Sequence, residues 1–226
     1  MKIAYCAAAA AAALIATAAA SAASAQDVSF NAAVTSDYVF RGVSQTDEEP
    51  AIQLGVDVGF ESGFYVGAWA SNVDFGDDTD AEVDIYGGYR TEAGGFAFDF
   101  GVVGYLYVND PSGSDYSFFE AKAAVSRAFG PVTLGGALYY SPDFFGADDN
   151  ATYVEANIGY TPMDKLTISG AVGYQYLDVS DDYAAWNLGA AYSITESIVI
   201  DARYHGTDVD GPLYDDRAVA TLKYLF

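Results

Sequence analysis

Ile52, Leu54, Val56, Val58 and Phe60 occupy every second position of an otherwise polar run, with Gln53, Gly55, Asp57, Gly59 and Glu61 between them. Such alternation puts all the apolar side chains on one face of a strand and all the polar ones on the other. The pattern recurs along the chain and predicts twelve strands, beginning near Val28, Ile52, Phe64, Ala81, Phe96, Tyr116, Val132, Thr152, Leu166, Tyr183, Ile198 and Asp215. The first runs on through Tyr38 and Phe40 to Arg41. After residue 25 no stretch reaches the roughly 18 consecutive apolar residues that a spanning helix needs. A chain of this kind enters a membrane only as a closed barrel, in which every backbone group finds a partner.

The connectors strengthen that expectation. Short turns fall at Ser62-Gly63, Glu92-Ala93, Gly130-Pro131, Thr161 to Lys165 and Thr195 to Ser197. Longer polar loops fall at Gly42 to Pro50, Phe75 to Asp80, Asn109 to Asp115, Pro142 to Ala151, Val179 to Asp182 and Thr207 to Tyr214. Short and long alternate strictly, which predicts an all-β, 12-strand antiparallel up-and-down transmembrane barrel of the outer-membrane type with both termini on the short-turn side. A soluble Greek-key sandwich gives no reason for the alternation.

Composition fits once the barrel is assumed. The 226 residues carry a net charge of −23 yet are 52% hydrophobic and 15% aromatic, which argues against disorder. The acidity also excludes nucleic-acid binding through a basic face. Residues 1–25 read as a cleaved secretory signal, with Lys2, a small apolar run from Ile3 and Ala23-Ser24-Ala25 before Gln26, leaving 26–226 as one barrel domain. Removing Lys2 leaves 8 bases against 32 acids, a net −24. The lone cysteine, Cys6, lies in the leader, so the exported chain has no thiol or disulfide chemistry.

Parity sends most strand charges inward, as lipid requires. On that reading the lumen is lined by Arg41, Asp57, Glu82, Asp84, Arg90, Asp99, Glu120, Lys122, Glu155, Asp201, Arg203, His205, Arg217 and Lys223. Arg127 shares the outward parity of Val125 and Phe129, near a strand end where a long side chain snorkels. In the third strand, pairing of Glu61 with Phe64 across Ser62-Gly63 would turn Tyr65, Trp69 and Val73 to the lipid and Phe64, Val66 and Ala68 inward. Outward aromatics form two girdles: Phe30, Phe60, Tyr89, Phe96, Phe129, Tyr160, Tyr192, Tyr224 and Phe226 near the short turns, and Phe40, Phe119, Tyr140, Tyr174, Trp186 and Tyr204 near the long loops.

The stretch Thr35-Ser36-Asp37-Tyr38-Val39-Phe40-Arg41-Gly42-Val43-Ser44-Gln45-Thr46 resembles the opening of the proteobacterial Gcw_chp family. So do Glu49-Pro50-Ala51-Ile52-Gln53, Glu61 to Gly67 and Trp69 to Asp74. The resemblance is specific through Asp74 and looser beyond. It implies an outer-membrane-barrel-like protein and brings no catalytic residue. Separately, Leu222, Tyr224 and Phe226 resemble the C-terminal assembly signal of outer-membrane proteins, which implies recognition by the barrel-assembly machinery after escort by periplasmic chaperones.

No cofactor is expected. His205 is the one histidine, beside Asp201 and Arg203 on its strand face, so a lipid-acting acyl-transfer centre would have to use it. It faces the lumen, whereas phospholipid substrates call for a group facing lipid, and an ordinary hydrogen-bonding role is the stronger reading. The loops carry acidic clusters (Asp47-Glu48-Glu49, Asp77-Asp78 with Asp80, Asp148-Asp149, Asp181-Asp182, Asp208 with Asp210, Asp215-Asp216) that match no calcium-loop spacing. They suit a solvated surface facing lipopolysaccharide and holding divalent cations loosely.

The lumen residues fit either a charge-lined pore or a plug of paired ions. Inward small residues, among them Gly55, Gly59, Gly101, Gly135, Gly159, Gly173 and Gly189, are expected to leave room. The function expected is a narrow passive channel for small solutes or ions, weakly cation-favouring, with a closed structural or interaction barrel as the alternative and a His205 enzyme third. An all-arginine lumen would indicate an acidic-sugar channel, and this mixed lumen gives no such indication.

Overall fold

The computed structural model describes residues 26–112, 115–145, 147, 149–178 and 180–226. The expected leader, 1–25, lies outside them. In chain order the strands are β1 (Gln26–Thr35), β2 (Val39–Phe40), β3 (Val43–Ser44), β4 (Ala51–Phe60), β5 (Phe64–Asn72), β6 (Ala81–Ala93) and β7 (Phe96–Val108). There follow β8 (Phe118–Phe129), β9 (Val132–Ser141), β10 (Ala151–Met163), β11 (Leu166–Leu177), β12 (Tyr183–Ser193), β13 (Ile198–Thr207) and β14 (Arg217–Leu225). Twelve of them, β1 and β4 to β14, form one closed antiparallel barrel in which each strand pairs with its sequence neighbour and β14 returns to β1. Closure removes both sheet edges. Its seam runs from Thr35 opposite Thr221 to Asn31 opposite Leu225, and the Phe226 amide donates to the Phe30 carbonyl at 3.0 Å.

Alternation acts as expected on most walls. Leu54, Phe100, Leu138, Val172, Leu188 and Leu222 are exposed outward, while Gln53, Glu120, Tyr139, Gln175 and Val219 are buried inside. The exposed girdle aromatics include Phe30, Phe129 and Phe226 at one end and Phe119, Trp186 and Tyr204 at the other. Arg127 lies along the outside with its guanidinium over Phe96 at 4.8 Å and Phe129 at 5.1 Å.

Two expectations are corrected. On β5 and the residue after it the faces are reversed: Tyr65, Trp69 and Val73 are no more than 8% exposed and point inward, and Phe64 and Val66 are 59% and 50% exposed outward. The turn holds three residues, Glu61-Ser62-Gly63, closed by the Gly63 amide on the Phe60 carbonyl at 2.9 Å with Gly63 at φ 93°. Gly59 therefore faces Tyr65, and a register shift of one residue exchanges every side chain between faces.

The second correction concerns the first strand, which ends at Thr35. Residues 36–50 turn into the barrel and form a miniature hairpin, with Val39 opposite Ser44 and Phe40 opposite Val43. Its two tip residues, Arg41 and Gly42, have φ of 48° and 86°, the geometry of a type I′ turn. Tyr38, 3% exposed, and the part-buried Phe40 thus lie inside, and Phe40 does not belong to the outer girdle. This segment is stitched down by the Ser44 amide on the Leu213 carbonyl, the Asp74 amide on the Gln45 carbonyl and a parallel bridge from Thr46 to Asp74.

Candidate functional site

The inserted hairpin divides the lumen into two tiers. At the long-loop end the inward residues Gln53, Trp69, Glu82, Tyr105, Glu120, Tyr139, Tyr153, Gln175 and Tyr183 are buried against it. Towards the short turns the inward residues Asp57, Tyr86, Lys122, Asn157, Ser169, Asp201 and Lys223 are only part-buried. The result is a vestibule that narrows to a packed throat.

Arg41 makes the throat. From the hairpin tip between β1 and β4 it spans the lumen to β8, where Nη1 and Nη2 donate to Oε1 and Oε2 of Glu120 at 2.8 and 2.6 Å. Nη1 also donates to Gln175 Oε1 on β11 at 2.9 Å, and Tyr105 OH donates to Glu120 Oε2 at 3.0 Å. The guanidinium lies 4.3 Å from the Tyr153 ring centroid, 4.6 Å from Phe40 and 5.1 Å from Tyr139. Both charged side chains are 1% exposed. Breaking such a buried pair from one side typically costs about 3–5 kcal/mol, because the remaining charge is left uncompensated. Gly42 is required behind it on two counts: its positive φ, and a Cβ there would collide with Thr207 and crowd Ala185.

The base of the hairpin is held by Asp37, which accepts from Ser44 Oγ at 2.7 Å and from Arg217 Nη1 at 2.9 Å. Beside the throat, Tyr38 OH donates to Glu82 Oε1 at 2.7 Å and its ring meets Trp69 edge-on at 5.1 Å. Asp84 is buried next to Glu82, and its Oδ1 has no hydrogen-bond partner among the described residues.

The vestibule carries two ion-pair clusters on opposite walls. On β7, Asp99 receives Lys122 Nζ at 2.9 Å, Arg90 Nε at 3.3 Å and Tyr65 OH at 2.7 Å. Six strands around the barrel, on β13, Arg203 pairs with Asp201 at 3.1 Å and donates to Asn187 at 2.7 Å and Ser169 Oγ at 3.0 Å. The other diameter carries carboxylates bound by neutral donors: Asp57 on β4 accepts from Tyr86 OH at 2.6 Å, and Glu155 on β10 accepts from Asn157 Nδ2 at 3.0 Å. Lys223 faces inward on β14. His205 sits in register between Asn187 and Arg217, neither of them a nucleophile. Among the described residues no three His, Cys, Asp or Glu side chains converge as a metal site.

The inward glycines do not all leave room. A Cβ at Gly55 would strike Asn31, at Gly135 Asn157, at Gly173 Tyr153 and at Gly189 Arg203, so these glycines seat larger side chains lying flat on the wall. Gly159, by contrast, borders open space, and a Cβ at Gly59 would meet only the Asp27 carbonyl oxygen at an ordinary 3.9 Å. Tyr38, Tyr139, Tyr153 and Gln175 were missed as throat residues from sequence. Their polar-face parity was visible for the last three; what they touch was not.

A family model described as a bacterial protein of unknown function (Gcw_chp) matches residues 19–224. The chain belongs to the Gcw_chp family. No curated protein is similar in sequence to this Gcw_chp barrel. Among solved structures it is similar to the KdgM porin, at 13% identity over 88% of this chain and 99% of that one, with a TM-score of 0.62. It is similar also to the NanC porin, at 12% identity over 88% and 98% with a TM-score of 0.60. A KdgM porin in complex with disordered oligogalacturonate aligns at 12% identity over 88% and 98% with a TM-score of 0.58. At these identities the likeness is one of fold, and the Gcw_chp chain has the closed barrel of outer-membrane porins.

Proposed function

We propose that this Gcw_chp barrel is a narrow passive channel for small solutes or ions, with the long acidic loops at the cell surface, both termini periplasmic and the inserted hairpin as its constriction. The observation that carries the reading is Arg41 held across the lumen on Glu120, which narrows a porin-type barrel at one level while leaving a polar vestibule below. Asp57 and Glu155 are lumen carboxylates held by neutral donors, which favours cations over anions. Acidic oligosaccharides such as the one in the KdgM complex are poor solutes for it, because Arg41, Arg90, Lys122, Arg203 and Arg217 are each engaged by a carboxylate.

Residues 1–25 serve as the export leader on this reading, and Leu222, Tyr224 and Phe226 serve as the strand read by the assembly machinery. The loop carboxylates meet lipopolysaccharide and exchange divalent cations. Single-channel recording of the refolded barrel tests the proposal: small, resolvable, cation-preferring currents are expected, and no current across several salts overturns it. The second reading, a closed structural barrel, draws on the packing around Tyr38 and Arg41 and would give that null result.

A further inference from the structure

Arg41 does more than narrow the lumen; it occupies a site whose chemistry is that of a guanidinium receptor. The wall supplies a bidentate carboxylate in Glu120, an amide oxygen in Gln175, and the ring faces of Tyr139 and Tyr153. Planar bidentate pairing and stacking on aromatic faces are the interactions that distinguish a guanidinium from an ammonium. Arg41 Nε is buried without a partner among the described residues, so the wall hydrogen-bonds the terminal fork and not the nitrogen that joins it to the stem. The tip that delivers the fork is strained, since a non-glycine residue at φ 48° is uncommon and persists where its surroundings hold it.

We infer that Glu120, Gln175, Tyr139 and Tyr153 form a binding site for guanidino and amidino solutes, occupied at rest by the protein's own Arg41, and that such a solute opens the throat by taking Arg41's place. The inference rests on the channel reading for its consequence, and on the wall chemistry alone for the site. Unlatching without a ligand leaves Glu120 with the Tyr105 hydroxyl but no cation beside it, which disfavours the open form by roughly two orders of magnitude or more. A solute with the same fork restores the pairing, so opening is selective for that chemistry and not for charge as such. A side chain tethered beside its site acts at an effective concentration in the millimolar range or above. Free solute therefore competes only when it is plentiful, and removal of Arg41 should expose the site fully.

The test uses the full barrel in detergent with Arg41→Ala, checked for heat-modifiable gel migration, and ethylguanidinium, the fragment this truncation removes. Calorimetry should show saturable binding to R41A at least tenfold tighter than to the unaltered barrel, at least tenfold tighter than ethylammonium, and lost in R41A/E120Q. Arg41→Lys, which keeps the charge without the fork, should also bind ethylguanidinium more tightly than the unaltered barrel does, and serves if R41A does not fold. No saturation, or equal binding of ethylammonium, overturns the site. A barrel that conducts while R41A binds nothing defeats the site and leaves the channel; one that never conducts while R41A binds defeats the channel and leaves the site.

Discussion

Arg41 and Glu120, 79 residues apart in the chain, meet inside the barrel as a bidentate pair with Nη2 to Oε2 at 2.6 Å and both side chains 1% exposed. The pair joins the tip of a hairpin that starts at β1 to the far wall. It crosses the lumen and, with both partners buried, forms a throat at that level.

Glu120→Gln leaves the Arg41 charge buried against a neutral amide. Urea unfolding in lipid vesicles should show a loss of about 3–5 kcal/mol, whereas the double replacement R41M/E120L, which removes both charges, should lose far less. In planar bilayers E120Q should raise conductance and add open-state flicker. An E120Q barrel as stable and as narrow as its parent would remove the pair's structural role.

Gly42→Ala tests how tightly the tip is held. It combines a left-handed residue with a collision against Thr207, while Gly130→Ala meets a positive φ of 63° with nothing nearby. Gly130→Ala should therefore cost about 1–2 kcal/mol, and G42A measurably more, accompanied by faster proteolysis within residues 36–50. Equal costs would mean that the tip moves freely.

The two tryptophans report the corrected face of β5. Trp69 is buried inside and Trp186 is exposed outward on β12. In vesicles of brominated lipid, W69F should keep strongly quenched emission from Trp186, and W186F should emit from Trp69 with little quenching. Strong quenching of Trp69 would restore the opposite face assignment.

Ionic strength separates lumen charge from loop charge. At 1 M salt the screening length is about 3 Å, so exposed loop carboxylates lose their reach while part-buried lumen groups keep theirs. Reversal potentials should retain a cation preference at 1 M KCl, unchanged in D77N/D78N and reduced in D57N/E155Q. Loss of the preference at high salt in the unaltered barrel would assign it to the loops.

Much of the scaffold was legible in single residues of the sequence. Leu54 and Val56 against Gln53 and Asp57, and the short turn at Gly130 against the long loop at Pro142, lead to twelve strands and to most inward charges. Period 2 is a property of neighbours along the chain, and it needs no knowledge of the rest of the fold. Where the reading failed, at Tyr65 and Trp69, one extra turn residue at Glu61 reversed the phase, since alternation states that faces differ but not which face is which.

The throat is of another kind. Val39-Phe40-Arg41-Gly42-Val43 continues the alternation of β1 so well that its inward turn is hidden from local pattern. Only the closed barrel brings Glu120, Gln175, Tyr139 and Tyr153 around one guanidinium, because they come from β8 to β11 and converge across a lumen that does not exist until β14 meets β1. Neighbours along the chain set the wall, its two faces and its two ends, through alternation and turn length. What fills the wall came with closure, because a buried charge is set by whichever partner the closed barrel brings within reach.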